Sequence, residues 1–68
     1  MIAVTPERRA EIIQRLLTIA HQFEPTDDEP ELTMFGLISR YNRQYPNPEL
    51  IGGDWVIQNV PELAHLPM

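Results

Sequence analysis

The run Ile38-Ser39-Arg40-Tyr41-Asn42-Arg43-Gln44-Tyr45 carries the densest chemistry in the chain, with two of the five arginines and both tyrosines inside eight residues. Arginine and tyrosine are enriched among the residues that dominate protein interfaces. On a helix Tyr41 and Tyr45 stand one turn apart. Arginines late in a helix also complement its dipole, and tyrosines can cover a core while keeping their hydroxyls in water, so the same spacing has a purely structural use. The chemistry on offer is recognition. Arg40, Tyr41, Arg43 and Tyr45 are candidate partner-binding residues, and alanine at 40, 41 or 43 is expected to weaken capture of a partner with little loss of stability.

A second concentration lies at residues 24–31, which hold five of the ten acids together with Pro25 and Pro30. Asp27, Asp28 and Glu29 form a candidate docking strip for a basic partner, with nucleic-acid mimicry as its sharpest form; a solvated charge run that keeps a connector extended is the simpler use. A calcium loop is excluded by the adjacent acids and the missing glycine. His21 and His65 are 44 positions apart, and neither has a histidine three or four residues away, so no metal motif is present.

Catalysis finds few parts. Ser39 is the only serine and lacks a Gly-x-Ser-x-Gly setting, cysteine is absent, and Gly52-Gly53 is followed by Asp54, whose charge repels phosphate. The chain is read as a non-enzyme, and no cofactor is implied.

These residues need elements to position them, and four Pro-Glu pairs, at 6, 30, 48 and 61, mark where helices can start. Proline at the first helical position gives up an N–H that has no partner there, and the glutamate behind it faces the positive end of the dipole. Thr5 as cap and an apolar stripe from Ile12 to Phe23 predict a helix over about 6–23, with Glu11 and Arg15 paired across one turn. A second helix over about 30–45 follows, capped by Asp28 or Glu29, with Gly36 in its middle for close approach to the first helix. Asn47 is placed to cap one short turn ended by Gly52; alternatively Gly52-Gly53 turns a hairpin between 49–51 and the β-favouring run Trp55-Val56-Ile57. The extended or hairpin form over about 49–58 is preferred, and a final helical turn opens at Pro61, capped by Asn59 or Val60. Trp55 anchors this tail on the helices or, if exposed, joins the candidate contact residues.

The fold class is therefore mainly α: one domain over 1–68, a two-helix hairpin joined by an acidic, proline-rich connector, with an extended or hairpin C-terminal segment and a last helical turn. A chain of 68 residues without cysteine has neither disulfide nor Cys/His zinc to staple it, so packing alone or a second subunit must stabilise it. The broad stripe on the first helix makes homodimerisation through that helix one option. Ten acids against five arginines and no lysine give a charge of −5 and disfavour nucleic acid and anionic membrane as partners. No apolar run reaches the ~18 residues of a membrane span, and Met1 to Val4 lacks the basic flank of a leader. The expectation is a cytoplasmic protein of bacterial or viral type.

As function, these readings favour a small interaction module (adaptor, inhibitor or regulatory subunit) that binds a partner protein through the second helix and the adjoining acidic surface. One alternative is a winged-helix-like nucleic-acid-binding accessory protein, with Arg40 and Arg43 on the second helix and a wing over 50–57. Another is a structural or self-assembling subunit.

Overall fold

Thr5 starts the first helix as expected. In the computed structural model, which describes residues 4–46, 49 and 51–68, α1 spans Pro6–Gln22, and Thr5 Oγ1 accepts the Arg8 N–H at 3.2 Å. Pro6 and Glu7 occupy its first turn, and the chain leaves helical geometry at Phe23, two residues before Pro25. Ile12, Leu16 and Ile19 face inward at helical spacing and are buried.

The second helix begins later than the Pro30-Glu31 pair predicts. Helix α2 is Met34–Gln44, and Thr33, rather than Asp28 or Glu29, caps it by accepting the Gly36 N–H at 3.0 Å. A threonine hydroxyl three residues before an amide reaches that donor directly; Asp28 and Glu29 lie too far upstream to do so. Residues 23–33 are not a simple extended linker either. The Thr26 N–H donates to Glu29 O at 2.9 Å and the Glu29 N–H to Thr26 Oγ1 at 3.0 Å, which closes a turn with Asp27 and Asp28 at its tip. Gly36 also has a different neighbour from the one expected: a Cβ there would meet Glu29 Oε2 at 3.0 Å and Arg40 Nη1 at 3.1 Å. Room for the connector's ion pair, not contact with α1, is what that glycine provides.

The C-terminal hairpin is replaced by a third helix, α3, Gly53–Asn59, and no strand occurs among the described residues. The expected cap at Asn47 lies outside the described residues, as do Pro48 and Leu50. A strand needs a partner for its N–H and C=O groups, whereas a helix satisfies its own, and β propensity is too context-dependent to overrule that on a short chain. Gly52 precedes the helix and Asp54 sits in its first turn. Trp55, Val56 and Val60 then share one buried face, and Ile57 points away. A 3-10 turn, Pro61–Leu63, follows as expected from its Pro-Glu pair, with Val60 at the cap.

Twelve buried apolar residues from all these segments form one core cluster, and no polar or charged residue is buried among the described residues apart from the ring-bearing Tyr41. The arginines of α1 tie the second half of the chain down. Arg8 Nε donates to Glu49 Oε2 at 2.7 Å and Nη2 to Oε1 at 3.2 Å, while Arg9 Nε donates to Asn59 Oδ1 at 2.8 Å. The predicted Glu11–Arg15 pair is present at 3.4 Å.

Candidate functional site

The Arg/Tyr run is divided by the turn of α2. Tyr41 is fully buried, and its hydroxyl has no hydrogen-bond partner among the described residues. Tyr45, half-buried, tilts against the Tyr41 ring at a centroid distance of 5.6 Å and carries the Arg15 guanidinium 4.4 Å above its own ring. Arg40 pairs with Glu29 and lies 5.2 Å over the Phe23 ring. Its guanidinium holds the Glu29 carboxyl below the usual carboxylate range, chiefly through their hydrogen bonds. Arg8 does the same to Glu49. Of the run, Arg43 is the arginine that faces solvent without an ion pair among the described residues.

The acidic strip is also divided. Asp27 and Asp28 are exposed at the tip of the connector turn, whereas Glu29 is drawn back onto Arg40. Trp55 belongs to the core at 7% exposure and anchors the tail, as its structural reading predicts. The eight candidate residues therefore do not converge on one surface: two are in the core, three are engaged in internal pairs, and Asp27, Asp28 and Arg43 face water.

A concave site does exist elsewhere. A groove of about 360 Å³ opens between the last turns of α1, the connector and the C-terminal turn. Leu17, Ala20, Leu32, Leu63 and Leu66 supply its apolar lining, and His21, Glu62 and His65 its polar groups. The two histidines, distant in sequence, thus line one cleft. Among the described residues no group of three or more histidine, aspartate and glutamate side chains is arranged to hold a metal ion, and no helix is long and apolar enough to cross a membrane.

The origin of the groove lies in the width of the α1 stripe. Ile12, Leu16 and Ile19 are buried in the core, whereas Leu17 and Ala20 pack against its flank and remain partly open. That excess width was legible in the sequence; the fold-back of Leu63 to Leu66 against it was not. No protein-family model matches the chain, and neither a curated protein nor a solved structure is significantly similar to it.

Proposed function

We propose that this chain is a small non-enzymatic interaction module, acting as an adaptor, inhibitor or regulatory subunit, and that it receives a short basic segment of a partner protein in the groove between α1 and the C-terminal turn. The observation that carries this reading is the groove itself: an apolar floor with a carboxylate, Glu62, at its side. Its volume of about 360 Å³ falls in the range of about 300–1,000 Å³ typical of binding clefts. One or two apolar side chains would fill it.

Charge selects the partner. Among the described residues, only Glu11, Glu29 and Glu49 of the ten acids are in ion pairs, while Arg8, Arg15 and Arg40 are occupied by them. The surface left to a partner is acidic, and complementary lysine or arginine beside the apolar anchor speeds encounter and fixes register. The face first expected to bind, on α2, has its Tyr41 inside and its Arg40 engaged. The nucleic-acid alternative called for a wing over 50–57, where residues 53–59 form a helix.

A displayed-peptide selection against the purified protein tests the proposal. Enriched sequences should combine large apolar anchors with flanking Lys or Arg. Their binding should weaken at least about tenfold in Glu62→Lys and in Leu66→Asp, and should be unchanged in Arg43→Ala. Peptides that bind the two groove variants as well as the parent chain would overturn it.

A further inference from the structure

Phe35 is 73% exposed and Met68 79%, although most large apolar side chains of this chain are inside. They are not scattered. Gly53 marks the place where Met68 meets Ile38, because a Cβ on it would stand 3.3 Å from the buried Met34 Cγ, 3.6 Å from Met68 Cε and 3.9 Å from Ile38 Cδ1. Phe35 lies one turn before Ile38 on α2, and Ile57, 43% exposed, lies one turn after Gly53 on α3. Ile38 and Met68 thus meet at the α2–α3 seam, and Phe35 and Ile57, each one turn along its own helix, extend the patch they make. None of them lines the groove.

The charge pattern says what this patch faces. Residues 32–48 are the longest stretch of the chain without aspartate or glutamate, and α2 lies wholly within it. Beside Phe35 and Ile38 the same flank continues into Ser39 and Asn42, which are uncharged. A chain carrying −5 repels a second copy over most of its surface, and the acid-free flank of α2 is where two copies meet without opposing carboxylates, while Asp54, exposed one turn before Ile57, stands at the α3 edge of the patch. A basic partner would find no carboxylate on this flank of α2 to recognise. The chain also has no disulfide, and small domains without such staples gain stability from oligomerisation.

We infer that the Phe35–Ile38–Ile57–Met68 patch is a homodimer surface, in which α2 of one copy packs on α2 of a second about a twofold axis. Such a contact places the same patch on both sides, so it must complement itself; the apolar, uncharged flank of α2 does. A standard interface takes about 800 Å² per partner, which is about a sixth of the 4681 Å² this chain exposes. The eleven residues of α2, about 16 Å long, supply the spine of such a contact.

The absence of cysteine makes the test direct. Sedimentation from micromolar to millimolar concentration should show a monomer–dimer equilibrium that tightens as salt rises, because salt screens the mutual repulsion. Phe35→Asp should weaken it by about a hundredfold or more, since the dimer would bury an unpaired charge. Phe35→Ser, checked with Phe35→Asp for unchanged helix content by circular dichroism, should weaken it less. Under mild oxidation Ser39→Cys should give a covalent dimer, and Thr18→Cys, exposed on α1, should not. A strict monomer throughout, a dimer indifferent to Phe35→Asp, or equal cross-linking from both cysteine variants would overturn the assignment.

Discussion

The guanidinium of Arg40 on α2 grips the carboxylate of Glu29 on the connector, with Nη1 3.0 Å from Oε2 and Nη2 bonded to Oε1. The same Nη1 also donates to Gly36 O at 3.2 Å, and the guanidinium covers the ring of Phe23 at the end of α1. One arginine thereby fastens α1, the connector and α2. With the Thr26–Glu29 turn and buried Leu32, it holds the acidic segment against the fold where a charged linker would swing free.

That pair makes stability depend on pH in a predictable direction. Arg40 lowers the folded-state value of Glu29 from its ordinary 4.5, chiefly through their hydrogen bonds. A carboxylate with a depressed folded value binds fewer protons when folded than when unfolded, so its contribution is fully present above about pH 4.5 and is lost as pH falls through the folded value. Glu29→Gln is therefore expected to unfold at lower urea than the parent at pH 7. The gap between the two midpoints should shrink as pH drops below about 4, and a constant gap across that range would refute the role given to the pair.

The Tyr41 hydroxyl is buried without a hydrogen-bond partner among the described residues, and an unsatisfied polar atom in an apolar setting is a standing cost. Tyr41→Phe keeps the ring and its contact with Tyr45 while removing that atom. It should be neutral or raise stability by about 1 kcal/mol in urea unfolding. Tyr41→Ala, by contrast, empties a core site and should cost about 3–5 kcal/mol. A Phe variant as damaged as the Ala variant would mean that the hydroxyl does have a partner.

Residues 55–57 separate helix from strand by a pair of single substitutions. A half-buried strand would hide Trp55 and Ile57 and expose Val56, because its side chains alternate. Helix α3 hides Trp55 and Val56 and leaves Ile57 43% exposed. Val56→Ala should accordingly cost about 2 kcal/mol. Ile57→Ala, measured at dilution, should stay within about 0.5 kcal/mol. The reverse order would restore the strand.

Local signals with one physical meaning were legible in the sequence, and those that depended on a partner segment were not. Thr5-Pro6-Glu7 identifies the start of α1 because cap, proline and acid act within one turn, and the Glu11–Arg15 pair needs nothing but the helix carrying it. Trp55-Val56-Ile57 misled because its β-favouring side chains say how they pack, not whether a strand partner exists for them. Arg40 looked like an interface residue because the turn that returns Glu29 to it is made by Thr26, ten residues and more away. The groove was half visible: the excess width of the α1 stripe was in the sequence, whereas the fold-back that turns it into a cleft between His21 and His65 depends on Leu63 entering the core.

The start of α2 offers the sharpest test of how the chain chooses between two plausible caps. Pro30 with Asp28 or Glu29 upstream has the composition of a helix N-terminus, but the helix waits for Thr33, whose Oγ1 accepts the Gly36 N–H. The reason is packing: starting at Met34 leaves Leu32 free to enter the core ahead of the helix, and brings Met34, Leu37 and Tyr41 onto its buried face. The Met34 N–H, which has no acceptor within the helix, donates instead to Pro67 O at 2.7 Å. Thr33→Ala should then cost about 1 kcal/mol and speed hydrogen exchange at the Gly36 amide, whose acceptor is removed. Asp28→Ala, at the exposed tip of the connector turn, should change stability by less than about 0.5 kcal/mol and leave that amide as protected as before. Equal effects on Gly36 exchange from both substitutions would show that the helix in solution reaches back to Pro30.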